Sequence, residues 1–249
     1  MSAEPDSFMS HLIELRDRLL RAVVVLLLVF LCLFPWAKDL YAFLAQPMIA
    51  SLPQGGTLIA TEVTAPFFVP VKVTMMAAFL VSLPWILYQI WAFVAPGLYA
   101  HEKRLVAPLV ATSTVLFACG MAFAYYLVFP VVFHFMVSVA PEGVAVMTDI
   151  GKYLDFVLTL FLAFGVTFEV PVAVVILVKM GLITVAKLKE IRPYVIVGAF
   201  VIGAIFTPPD VVSQVMLAVP LWILYEVGIL VSQWLVRAAP AEPGTTSPQ

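Results

Sequence analysis

The chain has 249 residues, of which 63% are hydrophobic and 11% charged, with a formal net charge of -2 and a mean hydropathy of +1.10. Soluble domains average about 45–50% apolar and about 25% charged residues, so a soluble fold of this length has no way to hide the excess and the solvent must be lipid. The charge balance supplies no basic face for nucleic acid, and the apolar runs leave no room for a separate soluble domain.

A spanning helix needs about 20 apolar residues, with a range of about 17–25. Uncharged runs mark six spans. The first, 22–37, is short and lies between Arg21 and Lys38. The second, 73–100, carries Pro84 and Pro96. The third, 105–141, is the longest. The fourth, 156–178, is interrupted only by Glu169, and the fifth is 193–209. The sixth, 211–236, is interrupted by Glu226. Pro193 suits the first turn of helix five, where its missing N–H is not needed, and Pro208-Pro209 stops that helix. The spanning part of helix five then covers roughly 20 Å, against about 30 Å of hydrocarbon. Helix six is equally short if Glu226 sits at the interface. Two adjacent short helices thin the local bilayer.

The expectation is an all-α polytopic membrane protein with six transmembrane helices. Residues 1–21 form an N-terminal amphipathic segment, 22–236 the transmembrane domain and 237–249 a tail rich in Pro, Gly, Ser and Thr that reads as disordered. The start imitates a signal peptide, but no A-x-A cleavage site follows the first apolar run and many spans come after it, so that run is a retained helix.

Orientation follows from Lys and Arg in the loops. Arg16, Arg18, Arg21, Lys103, Arg104, Lys179, Lys187, Lys189, Arg192 and Arg237 fall on one side; only Lys38, Lys72 and Lys152 fall on the other. The N terminus is therefore expected in the cytoplasm, and an even helix count returns the C terminus there. On the far side, 38–64 contains Pro47, Pro53, Gly55 and Gly56, which punctuate it; its stretch 40–49 is amphipathic enough to lie on the surface.

No GxxxxGK[ST], GxSxG or HExxH motif is present. Cys32 and Cys119 lie inside apolar runs and read as packing residues. His11, His101 and His134 form no ligand motif, so no metal or cofactor is expected. What remains is carboxylates in expensive places. Helical spacing puts His11, Glu14, Arg18 and Arg21 on one polar stripe, and Glu14 can simply pair with Arg18 at i,i+4. Glu102 can simply be a solvated loop acid beside Lys103 and Arg104, worth about 0–1 kcal/mol. Glu169 is sharper: a charge at that depth costs at least about 2.5–3.5 kcal/mol. It is either a neutral group bonded to a neighbouring helix or a polar point on a substrate or partner surface. Gln214 is a milder polar group able to join helices, and Asp210 suits an N-cap of helix six.

Six stretches then resemble the TatC family, the membrane receptor of the twin-arginine protein translocase. They are His11 to Arg16 (HLIELR), Pro66-Phe67-Phe68, Trp91 to Tyr99 (WAFVAPGLY), His101-Glu102-Lys103-Arg104, Phe164 to Pro171 (FGVTFEVP), and Arg192-Pro193-Tyr194 continued by Thr207-Pro208-Pro209-Asp210. The resemblance runs from about Phe8 to Leu235, with no departure at a motif position.

It implies a cup-like concave bundle with both ends cytoplasmic and short helices five and six, in the bacterial inner membrane. It implies binding of consecutive-arginine signal peptides by Glu14 and Glu102, with Arg16, Phe93 and His101 in support. Glu169 matches the acid of the concave face; Gln214 is a docking candidate for a partner's span, and Pro47 and Asp210 belong to the periplasmic cap. It also implies partners resembling TatA and TatB, assembly with copies of itself, and proton-gradient-driven export of folded proteins with no enzymatic chemistry. Two other readings of the same residues are a proton-coupled small-molecule transporter using Glu169, and an assembly factor with no substrate site. The first predicts saturable solute uptake; the second predicts that substituting Glu14 or Glu102 changes only stability.

Overall fold

The computed structural model describes residues 5–51, 58–94, 106–139, 147–207 and 210–238. Glu102, His101 and the tail beyond 238 lie outside the described residues. Among the described residues ten α-helices follow in order: α1 (Pro5–Leu33), α2 (Ala37–Ser51), α3 (Ala65–Val94), α4 (Val106–Phe123), α5 (Phe129–Ser138), α6 (Ile150–Phe168), α7 (Val170–Lys179), α8 (Val185–Glu190), α9 (Arg192–Phe206) and α10 (Val211–Ala238). They make five long apolar passages, Met9–Gln46, Ala65–Phe93, Ala107–Ser138, Ile150–Lys179 and Val211–Leu235, plus the shorter apolar helix Arg192–Phe206. This is the expected all-α, six-pass membrane architecture.

Prolines set most of the interruptions. Pro130 has no N–H for the carbonyl of Tyr126, and around it the ladder slips into a π turn at Ala124–Val128. The expected third helix is thus α4 and α5 joined end to end. Pro171 likewise leaves the carbonyl of Thr167 without its donor. The ladder lapses at Glu169, whose N–H turns back to Val166 at 3.1 Å, and α7 follows.

Three boundaries differ from the charge-delimited runs. The N-terminal amphipathic stretch and the first span are one helix, α1. Helix two starts at Ala65 rather than 73, because Lys72 need not end it: its ammonium reaches Asp155 of α6 at 2.6 Å. The third is α2, which runs through Pro47 to Ser51 instead of being broken there. The Phe43 carbonyl, which the proline leaves without a helical donor, accepts from the Tyr125 hydroxyl, and the neighbouring Leu44 carbonyl accepts from Tyr153, both at 2.9 Å. Leu44 and Ala45 are buried against the bundle, so α2 is part of the core rather than a surface rider.

Helix five is short as expected. Its 15 residues rise about 22 Å. The sixth helix has 28 residues, but Glu226 within it bonds Arg192, the first residue of α9, at 2.5 Å. Glu226 is thereby level with the start of α9, and the part of α10 facing α9 is equally short.

The core is built on α6. Leu154, Val157, Leu160 and Phe164 are fully buried against Phe129 and Val132 of α5. Where α4 crosses α6, Gly120 and Gly165 allow close approach: a Cβ at Gly165 would stand 2.4 Å from the ring of Phe117, and one at Gly120 2.5 Å from the carbonyl of Phe164. α1 is attached differently. No described side chain on it is buried, and it leans on α3.

Candidate functional site

The N-terminal end of α1 meets the C-terminal end of α3. Spacing of three and four residues puts His11, Glu14 and Arg18 on one face of α1. His11 stacks on Phe93 of α3, with ring centroids 4.3 Å apart and planes 20° off parallel. Arg18 donates from Nε and Nη2 to the same Glu14 oxygen, Oε1, at 2.8 and 2.6 Å. Its Nη1 donates to Oε1 of Gln89, a buried residue of α3, at 3.4 Å. The other Glu14 oxygen, Oε2, has His11 Nδ1 at 4.0 Å, beyond hydrogen-bond length. The Glu14 side chain is 39% exposed. It borders a depression of about 390 Å³ lined by Ser10, Ile13, Glu14, Asp17, Arg18 and Arg21. Arg16 points elsewhere and pairs with Asp17 at 2.8 Å. The arrangement is a partly neutralised carboxylate with one oxygen unbonded among the described residues, set on an aromatic-backed helix pair. Chemically it can accept a cation; it contains no nucleophile and base in contact.

Glu169 sits in the α6–α7 lapse. Both carboxylate oxygens are buried, and neither has a hydrogen-bond partner among the described residues. Ser113 of α4 accepts from the Trp91 indole of α3 at 3.2 Å. Asp210 caps α10, accepting from the Ser213 N–H at 2.7 Å. Gln214 donates from Nε2 to the Phe200 carbonyl of α9 at 2.9 Å, so it ties the two short helices together.

At the opposite end of the bundle a second cluster joins two loops. Ile59 and Asp149 form an isolated bridge, with Ile59 N–H on Thr148 O at 3.0 Å and Ile150 N–H on Ile59 O at 2.8 Å. The Asp149 carboxylate accepts from the Thr61 hydroxyl at 2.6 Å and the Thr61 N–H at 2.9 Å on one oxygen. On the other it accepts from the N–H groups of Gly151 and Lys152, at 2.8 and 2.9 Å. The Thr61 hydroxyl above all, with the amides, holds this carboxyl well below the usual carboxylate range.

Residues 10–220 match the family model described as "Sec-independent protein translocase protein (TatC)". The chain belongs to the TatC family. It is 56% identical over 234 residues to the TatC protein of Azotobacter chroococcum mcd 1, covering 92% of each chain. It is 54% identical over 227 residues to that of Escherichia coli K12, covering 91% of this chain and 88% of the relative. A crystal structure described as the twin arginine translocase receptor TatC superposes with a TM-score of 0.80 at 39% identity, covering 91% of this chain and all of that one.

A TatC protein is a translocase component and not an enzyme, and among the described residues no group of three or more His, Cys, Asp or Glu side chains could hold a metal. Of the residues read from sequence, Glu14, His11 and Phe93 come together at the α1–α3 end. Arg16 lies beside them on α1 but turns to Asp17. Glu169, Gln214 and Asp210 are distributed along the other helices. The Asp149–Thr61 clamp was not anticipated. Its signal was present: an Asp just before an apolar helical run at Ile150 is a standard N-cap. Its long-range partner Thr61, 88 positions away, left no mark in the pattern.

Proposed function

We propose that this TatC protein is the twin-arginine signal-peptide receptor of its translocase, with Glu14 and Glu102 as the two guanidinium acceptors. The observation that carries the reading is the Glu14 carboxylate. It is 39% exposed, it borders a depression, one of its oxygens is unbonded among the described residues, and it lies one turn from the stacked His11–Phe93 pair at the end where the basic loops cluster. Glu102 follows the end of α3 in the sequence, and Phe93 near that end stacks on His11, one turn before Glu14. Neighbouring side chains of an extended peptide point to opposite sides, so two carboxylates on different segments can each take one arginine.

This end of the bundle faces the cytoplasm of the bacterial inner membrane, as the distribution of Lys and Arg supports, and both termini lie there. The apolar part of the signal then enters the membrane toward Glu169, beside the thinned region at α9 and α10. Single-span partners of the TatA and TatB kind dock along α9 and Gln214, and copies of the chain assemble with one another. Pro47 and Asp210 belong to the periplasmic cap. The proton gradient supplies the driving force, as the missing nucleotide motif supports.

A charge-assisted hydrogen bond contributes about 1.5–3 kcal/mol, or roughly a tenfold to hundredfold change in affinity. Lysine keeps the charge but loses the planar fork. In detergent-purified protein, a labelled twin-arginine peptide binds tightly, and Glu14→Ala, Glu102→Ala or a twin-lysine peptide each weakens binding by about that factor. Equal, weak binding in all combinations makes these acids solvated surface groups and removes the receptor reading.

A further inference from the structure

Arg18 occupies the carboxylate that the proposed receptor reading offers to a signal peptide. We propose that Arg18 is a self-ligand: it holds Glu14 in the resting protein and must yield it, moving onto Gln89, before an incoming guanidinium binds in two-point fashion. The inference rests on the receptor reading and adds an affinity-setting residue to that site.

Three features of the geometry support it. The grip is end-on, with Nε and Nη2 sharing Oε1 at 2.8 and 2.6 Å, so Arg18 satisfies one oxygen and leaves Oε2 open. A guest can therefore begin to bind before Arg18 leaves. Second, the leaving group has somewhere to go. Nη1 already points at the buried amide oxygen of Gln89, at 3.4 Å, a long contact that shortens when the hold on Oε1 is released. Third, the pair can exchange. The side chains of Arg18 and Glu14 are 22% and 39% exposed, and an i,i+4 pair on one helix that still meets water is held weakly. Gln89 is the neutral acceptor that keeps the displaced guanidinium from being stranded against an apolar helix face.

The sign of the effect separates this role from that of an orienting residue. If Arg18 orients Glu14 for its guest, removing it weakens binding. If it competes, removing it tightens binding, and removing Gln89 weakens binding because Arg18 loses its second station. The experiment is titration of detergent-purified full-length protein with labelled twin-arginine peptide, for wild type, Arg18→Gln, Arg18→Lys, Gln89→Leu, the Arg18→Gln/Gln89→Leu double variant and Glu14→Gln. Thermal melts confirm that each variant is folded.

A local i,i+4 ion pair on a helix that still meets water corresponds to a factor of at most about five, so Arg18→Gln binds about two- to fivefold tighter. Arg18→Lys lies between it and wild type. Gln89→Leu binds more weakly, and loses that effect in the double variant. Unchanged or weaker binding by Arg18→Gln overturns the self-ligand while leaving the receptor reading intact, provided Glu14→Gln still abolishes tight binding. If Glu14→Gln binds like wild type, the receptor reading fails and the self-ligand falls with it.

Discussion

The hydroxyl of Tyr125 donates to the carbonyl of Phe43 at 2.9 Å, the carbonyl that Pro47 leaves without a helical donor. A proline four residues on has no N–H to give, and the π turn of the third passage presents the tyrosine that replaces it; the two rings stack as well, with centroids 5.2 Å apart. This explains how α2 passes through a proline and still closes the end of the bundle. Tyr125→Phe should destabilise the protein by about 1 kcal/mol, the usual value of one such bond. In a Pro47→Ala background residue 47 regains an N–H for Phe43, so the same substitution should cost clearly less. Thermal melts of the two single variants and the double variant measure the coupling. Additive effects mean that the tyrosine serves packing alone.

The Asp149 clamp gives the opposite end of the bundle a pH dependence. Its carboxyl titrates below the ordinary value of a free aspartate in the folded protein, about 3.9 when unfolded. A depressed folded value means that the stabilisation is fully present above that pH and is lost as pH falls through the folded value. The wild type should therefore lose melting temperature on acidification below about pH 4 more steeply than Asp149→Asn. Thr61→Val, which removes the largest contributor, should shrink that difference. Parallel acid profiles for wild type and Asp149→Asn refute the clamp as a titrating device.

Where α4 crosses α6, the limit is space. Gly165→Ala places a methyl 2.4 Å from a ring carbon of Phe117, and Phe117 is itself buried. Overpacking of this kind costs about 1–3 kcal/mol. Gly198, with nothing near its Cβ position, is the control: Gly198→Ala in the interior of α9 should be neutral or stabilising, because glycine is a poor helix former. Comparable losses at both positions would mean that the crossing is not the constraint.

The passes were legible because lipid demands long uncharged runs, and the prolines that stop or start helix five act locally. Charges were poor boundary markers wherever a charged side chain finds a partner. Lys72 reaches Asp155 across to α6, so helix two extends past it. Pro47 was a poor punctuation mark for the same reason: the Phe43 carbonyl it leaves without a donor is taken by Tyr125, 82 positions beyond Phe43, which no local pattern contains. At the candidate site, the Glu14–Arg18 spacing was plain from the helical period. The end-on grip and its link to buried Gln89 were not, since they depend on which face of α3 meets α1.

The level of Glu226 decides how short the sixth helix is in the bilayer. Its carboxylate meets Arg192 at 2.5 Å, and Arg192 opens the short α9, so the pair marks one interface for both helices. The side chains are 40% and 23% exposed, which places the pair between the solvated kind and the buried kind. Arg192→Gln should leave Glu226 uncompensated and destabilise by about 1–2 kcal/mol, above the range of surface pairs and below the 3–5 of buried ones. Glu226→Gln should do the same to Arg192. The double substitution removes both charges and should recover most of the loss, because what hurts in each single variant is the charge left behind. Thermal melts of the four proteins in one detergent supply the cycle. Two silent single variants would mean that both groups are fully solvated, that Glu226 does not mark the membrane edge, and that α10 crosses with its full length instead.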